Sequence, residues 1–357
     1  MRSLLLAVVG CSLPLSGAVA DEIRMYKGKD LIDVTVVEES IDEIKFRMKG
    51  ISQPQSRPSS LVKEVVYSNH SDRYFQALEA MDARDYDKAV MMFRAAAGGV
   101  KKSAEWEVQY SLFHAAECLR LARQYDEAVK AYDELIAKVP RTKFIGRAFE
   151  QKALCHESKN DVARAVETFQ SLKAASIKLG PRFEILADFH VTRLGQKNDP
   201  AAALEKFREL RARAEREGFS DIANLARLGV GTALIGQGKL EEARAFFQEI
   251  IKDRQASEVR VVAGAYLGLG NTFVASKAPT AQDFDAALMP FLRVVFMYGP
   301  DLGNSPMVAE AAYWAGRCFE SKEARDEKSR VRKVFLYQMV VKDYPGSDWA
   351  RQAQVRL

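Results

Sequence analysis

Residues 106–140, WEVQYSLFHAAECLRLARQYDEAVKAYDELIAKVP, decide the fold. Leu112, Ala115, Ala116 and Leu119 fall at spacings of three and four, and so do Tyr125, Ala128, Tyr132 and Leu135. That period places each set on one face of a helix. The break between them, Ala122 to Asp126, is polar and short, so the unit is two antiparallel helices joined by a tight turn. Small Ala116 and Ala128 let the backbones approach. Tyr132 fills the space beside them, and Pro140 stops the second helix. One such hairpin cannot bury its own apolar face, so neighbours must stack on it.

The rest of the chain supplies those neighbours. The small residue of the second helix recurs as Ala89, Ala128, Ala165, Ala203, Ala243 and Ala287. Four residues after each comes an aromatic: Phe93, Tyr132, Phe169, Phe207, Phe247 and Phe291. The first helices carry Ala77, Ala116, Ala153, Gly231, Gly270 and Gly316 at the matching place, with Val191 interrupting the series in the fourth unit. A seventh unit ends with Tyr337 and DYPGS, although Lys333 stands where alanine is expected. This pattern of small, aromatic and proline positions resembles the tetratricopeptide repeat over about four fifths of the chain. Successive alanines are 37 to 44 residues apart here, against about 34 in the standard repeat. Helices or connections must therefore be longer. The resemblance implies a mainly α fold, an α-solenoid of about seven hairpins over 73–357. Its concave surface is lined by first helices and suited to an extended peptide or a partner helix.

Before the solenoid the period changes to two. Ile32, Val34 and Val36 alternate with outward neighbours, as do Ile44, Phe46 and Met48, and Val65 with Tyr67 closes the set. Half-buried strands have that period. Gly28-Lys29 and Ser40-Ile41-Asp42 supply turns, and Gln53 to Ser60, with Pro54 and Pro58, supplies a loop. Residues 21–68 are thus read as a small antiparallel β-domain of four or five strands, closing as an SH3-like or Sm-like barrel. At about 45 residues it is near the lower limit for an independent core, and it is expected to lean on the first hairpin. Ser68 to Asp72 is the joint.

Residues 1–20 read as a signal peptide: Arg2, the apolar run Leu4 to Val9, and Ala18-Val19-Ala20 as an A-x-A cleavage site before Asp21. Its removal takes Arg2 from a net charge of +5. A rival reading places a lipid on Cys11. No other run is long and apolar enough to cross a membrane. Export, to the periplasm if the source is bacterial, is the expectation. The polar stretches Ser276 to Asp283 and Ser321 to Ser329 are expected to loop out inside the last two hairpins, and Ser347 to Leu357 to cap the stack. EAAYWAGRCFE (310–320) and FLYQMVVKDYPGSDWARQA (335–353) are similar in style to repeats of exported envelope proteins of the Tol–Pal and outer-membrane assembly type.

Charge and chemistry exclude several classes. Lys and Arg alternate with Asp and Glu, as in LEKFRELRARAERE (204–217), which is a solvated helix face rather than a nucleic-acid surface. Without Cys11 the cysteines number three: Cys118, Cys155 and Cys318, all two residues after a small first-helix residue and read as core. His70, His114, His156 and His190 are scattered, so no metal site is expected. Gly268-Leu269-Gly270-Asn271 falls within a helix and is no phosphate loop. No serine elbow is present. No enzyme and no cofactor are expected, and the expected partner is a protein or peptide, an envelope complex among the candidates. One alternative makes the chain an envelope-complex assembly factor with the β-domain as a second binding module, and another puts a ligand or catalytic site at the β-domain joint. The repeat register aims Tyr110, Phe113, Glu117 and Arg120 into the groove in the second unit. Arg147, Glu150 and Leu154 follow in the third, and Tyr313, Arg317 and Glu320 at the far end. Peptide-carboxylate-binding repeats use Lys and Asn on successive first helices, and Asn271 alone stands in place.

Overall fold

In every hairpin the aromatic ring of the second helix sets the spacing. Phe93, Tyr132, Phe169, Phe207, Phe247, Phe291 and Tyr337 are each no more than 1% exposed. Where the ring lies against the first helix of its own hairpin, the residue opposite is small; in the fourth unit, where Val191 holds that place, the Phe207 ring lies against Gly229 of the next hairpin. A Cβ added to Gly231, Gly270 or Gly316 would come within 2.5, 2.5 or 2.4 Å of the ring of Phe247, Phe291 or Tyr337. Phe247 is met from the following hairpin as well, where a Cβ on Gly268 would lie 2.3 Å from the ring.

The computed structural model describes residues 20–25, 29–59, 62–99, 105–253, 258–276, 278–299, 306–322 and 326–357. The signal segment and Cys11 lie outside the described residues. Five strands come first: β1 (Asp21–Met25), β2 (Leu31–Glu39), β3 (Glu43–Met48), β4 (Gln55–Pro58) and β5 (Val62–Val66). Seven helical hairpins follow: α1 (Asp72–Asp82) with α2 (Tyr86–Gly98), α3 (Glu105–Leu121) with α4 (Tyr125–Lys138), α5 (Ile145–Ser158) with α6 (Val162–Leu179), α7 (Pro181–Gly195) with α8 (Pro200–Arg216), α9 (Ser220–Gly236) with α10 (Leu240–Lys252), α11 (Val259–Val274) with α12 (Ala281–Arg293), and α13 (Pro306–Glu320) with α14 (Glu327–Asp343). The short helix α15 (Asp348–Gln354) ends the chain. The expected α-solenoid after a small antiparallel sheet is therefore the architecture observed.

The tight turns have one construction. Arg84, Arg123, Asn160 and Gly238 each follow a first helix by two residues, with φ of 61, 64, 61 and 74°. The next amide bonds back five residues, as in Gln124 N to Leu119 O at 2.9 Å and Asp161 N to His156 O at 2.9 Å. This left-handed cap satisfies the free carbonyls of the first helix. Asp85 and Asp161 then cap the second helix at once, accepting from the amides of Lys88 and Arg164. The stretch after Ser276 is shorter as a loop than its composition suggested. Thr280 and Asp283 form a capping box, so Ala281 to Asp283 belong to α12.

The chain forms two compact units. The first runs to Ala115 and includes Glu134–Ile145; the second is Ala116–Asp133 with Gly146–Leu357. In the first unit the sheet order is β4-β3-β2-β1-β5, antiparallel throughout, with β4 and β5 as edges rather than a closed barrel among the described residues. Ile23, Val34, Ile44, Phe46, Val62, Val65 and Tyr67 form its core, and Trp106 and Tyr110 of α3 pack against them. Tyr67 stacks on Trp106 with centroids 3.9 Å apart. The sheet therefore leans on the second hairpin, not the first as expected. Those two rings cover its apolar face. The expected inward place of Ile32 is also corrected: it is 67% exposed. Asp33 takes φ 58° and the β1–β2 register shifts there, so Leu31 and Val34 pair with β1 instead of alternating through Ile32.

A buried polar cluster secures the same contact. The Glu39 side chain is fully buried and its carboxylate accepts from Lys143 Nζ at 2.6 Å, Tyr67 OH at 2.7 Å and Tyr110 OH at 3.3 Å. Gln109 donates to the Glu39 carbonyl and accepts from Thr142 Oγ1 at 2.8 Å. Asp21 ties the first strand down, accepting from Val36 N, Ser68 N and Ser68 Oγ at 2.9, 2.8 and 3.0 Å.

In the second unit Cys118, Cys155 and Cys318 are buried and free. Burial pushes each thiol up to about 12. At the turn after α3, Arg123 donates to the carbonyls of Lys342 and Asp343 at the end of α14. Ala350 and Ala353 of α15 are buried, and Trp349 lies 5.2 Å from Tyr313.

Candidate functional site

The curvature of the second unit follows from one contact. Arg260 Nη1 of α11 lies 3.4 Å from Glu150 Oε1 of α5. Along the stack α7 and α9 come between, and packed helices are about 8–10 Å apart. A straight stack would hold α5 and α11 far beyond the reach of two side chains. The unit must therefore bend tightly, with first helices on the inside. α7, α9, α11 and α13 touch in that order, as an inner wall requires.

That wall is polar and largely paired. His190 of α7, 2% exposed, donates from Nε2 to Glu150 Oε1 at 3.0 Å and stacks on Phe169 at 4.2 Å. Its Nδ1 is buried without a partner. Arg182 of α7 binds Asp221 of α9 with both guanidinium nitrogens. Gln196 accepts from Thr232 Oγ1 at 2.9 Å. Farther along, Asn271 of α11 donates to Glu310 of α13 at 2.8 Å.

Burial alone would raise Glu150. The hydrogen bond from His190 and the charges of Arg260 and Arg147 outweigh it and bring the carboxyl down to about 2. Burial holds His190 below the ordinary imidazole range. The pair is thus a neutral imidazole donating to an ionised carboxylate. Both folded values lie below the unfolded ones, so both groups contribute stability that is present at neutral pH and lost on acidification. We expect the urea midpoint to fall as pH drops from about 6.5 toward 3, and Glu150→Gln to flatten the part of that fall below about pH 4.5. Parallel profiles for the variant and the parent would refute this.

The predicted groove residues fare differently. In the first unit Tyr110 is taken up by Glu39 and Lys143, its hydroxyl 2.6 Å from Lys143 Nζ. Phe113 is 1% exposed and stacks on Phe144 at 4.3 Å. Phe113 is thus corrected to internal packing and Tyr110 is half-buried, because the turn after α4 brings Phe144 against both rings. In the second unit Glu117 is buried and accepts from Arg120 Nε and Nη2 at 3.2 and 3.1 Å and from Tyr132 OH. Burial raises the Glu117 carboxyl, but these partners with Arg147 hold it below its usual range. Arg147 is exposed, Leu154 half-buried. Tyr313 is buried and accepts from Arg356 Nε at 3.2 Å. Glu320 binds Arg356 at 2.9 Å and Arg317 at 3.0 Å. The chain end thus engages the far set of candidates. Arg147 and Glu150 remain on the inner wall, joined by residues the register did not single out: His190, Arg260 and Glu310. Their signal was positional, since each sits on a first helix, but partners 40 and 110 residues apart cannot be matched from one sequence.

An open cavity of about 380 Å³ lies instead on the outer side, lined by Arg208, Arg211, Phe246 and neighbours. Its arginines are paired with Glu205 and Glu215. Among the described residues no group of three His, Cys, Asp or Glu could hold a metal ion. No helix there is long and apolar enough to cross a membrane.

Stacked hairpins with an aromatic of the second helix packed between neighbours make this a solenoid of tetratricopeptide-like architecture. Family models described as tetratricopeptide repeat match residues 110–142 and 190–258. Among solved structures, the chain is similar to a Rap protein complexed with Competence and Sporulation Factor, at 11% identity and a TM-score of 0.50, covering 80% of this chain and 79% of that one. A tetratricopeptide repeat protein from Parabacteroides merdae matches at 15% identity and a TM-score of 0.47, covering 79% and 98%. At these identities the likeness is one of fold. No curated protein gives a significant match.

Proposed function

We propose that this chain is an interaction scaffold that holds an extended peptide along the inner wall of its second unit. The carrying observation is the Arg260–Glu150 contact, which places the first helices on the inside of one curve. Such a wall offers many side chains to one strand of peptide. Arg260 is half-exposed on this wall, and arginines are frequent anchors of interfaces. The similar Rap fold was solved in complex with a factor, which supports the reading by analogy of architecture. The test is panning of a random dodecapeptide display library on the full chain. Selected peptides should lose about tenfold or more in affinity, 1.4 kcal/mol, on Arg260→Glu. The outer-face pair Arg208→Ala with Arg211→Ala should leave binding unchanged. Equal binding to the Arg260 variant would overturn the proposal.

The same reading includes export to a cell envelope, with a partner in an assembly of the Tol–Pal or outer-membrane type. It rests on residues 1–20 and on β1, which starts at Asp21, the residue after the A-x-A site. Intact mass of material from the exported fraction should correspond to a chain starting at Asp21. A mass that retains residues 1–20, or that carries a lipid on Cys11, would contradict it. A second reading makes the sheet a further binding module, favoured by the exposed Ile32 and Val37 of β2.

A further inference from the structure

On the inner wall Asn271 and Glu310 together present more acceptors than donors. Asn271 Nδ2 donates to Glu310 Oε1 at 2.8 Å. That bond fixes the amide, because the reverse orientation would set Asn271 Oδ1 against an ionised carboxylate. Asn271 Oδ1 is then buried with no hydrogen-bond partner. Glu310 receives that single hydrogen bond, and burial raises its carboxyl above the ordinary range, opposed by Asn271 and by the charge of Lys197. Elsewhere on this wall acidic groups have cationic or imidazole partners: Asp221 has Arg182, and Glu150 has His190 and Arg260. At Glu310 no ion pair forms among the described residues.

A half-buried carboxylate without a cation and a buried carbonyl oxygen without a donor each cost free energy that one group could relieve. We propose that Asn271 and Glu310 form a subsite for a positively charged side chain of the bound peptide, its donors shared between Asn271 Oδ1 and the Glu310 carboxylate. A guanidinium fits best. It is planar, carries five N–H donors and meets two acceptors at once. The subsite has the opposite sign to a carboxylate clamp, which needs donors from Lys and Asn. It rests on the inner-wall reading of function and gives that reading a ligand chemistry.

The probes are methylguanidinium chloride and sodium acetate, titrated at constant ionic strength into the ¹⁵N-labelled full chain. The readout is the side-chain NH₂ signal of Asn271. Methylguanidinium should shift that signal saturably and acetate should leave it in place. Glu310→Gln keeps the shape and an acceptor for Asn271, and should weaken methylguanidinium at least about tenfold. Lys197→Ala, at an exposed position, should strengthen it about twofold by removing a competing charge. A shift with acetate alone, no shift with either probe, or unchanged affinity in Glu310→Gln would overturn the subsite. Selected peptides that bind parent and Glu310→Gln equally would remove the subsite while the inner-wall reading stands. A methylguanidinium site with no peptide selected would do the reverse.

Discussion

Phe247→Ala should cost about 3–5 kcal/mol of stability, the range for deleting a fully buried phenylalanine. The ring is 0% exposed. It lies against Gly231 of its own hairpin and Gly268 of the next, where added Cβ atoms would sit at 2.5 and 2.3 Å. The mutation therefore opens a cavity at a junction between two repeats rather than inside one, and both should loosen. Gly268→Ala should cost about 1–3 kcal/mol by overpacking the same ring. Combined, the two should cost less than their sum, because the new methyl enters the space the ring has left. Urea denaturation of the three variants checks this. Strict additivity would mean that ring and glycine are not in contact.

Lys143→Met should be comparably damaging to the first unit, by about 3–5 kcal/mol, since removing one member of a buried pair strands the other. Glu39 is fully buried, and the Lys143 side chain is 21% exposed. Tyr67 and Tyr110 would still donate to the carboxylate, but neither carries a charge to balance it. Glu39→Gln with Lys143→Met should recover most of the loss. The readout is the unfolding midpoint of the full chain with Trp106 fluorescence as the local probe, since its ring stacks on Tyr67. A midpoint unmoved by Lys143→Met would show that the sheet does not depend on this pair.

The repeat architecture was legible because its signal is local and recurs. Six alanine–aromatic pairs, with a small first-helix residue opposite all but one, repeat a similar steric fit, and Phe247 between Gly231 and Gly268 shows why that pairing cannot drift. Ile32 was misplaced because a bulge at Asp33 breaks a period that residue type alone cannot reveal. What covers Tyr110 and Phe113 was not legible for another reason. The register aimed their faces correctly away from the hairpin, but what covers them, Phe144 and Lys143, arrives from beyond the next helix. The inner wall was legible as a set of helices and not as chemistry. Which carboxylate meets which cation depends on curvature, and curvature is a sum of small rotations that no single repeat encodes.

Arg123 bears on how the second unit comes apart. In an open array of repeats each terminal member has one neighbour, so fraying begins there and cooperativity falls off along the row. Here the turn after α3 holds the last carbonyls of α14 through Arg123, and the backbone of Gly346 lies close against the carbonyl of Ser158. The final hairpin therefore has a second neighbour, drawn from the opposite end of the row. Mathematically the array changes from a line with two ends to a loop with one seam. Hydrogen exchange in α14 then reports on α3 and α5, and a shortened C-terminus is felt more than 200 residues away in sequence.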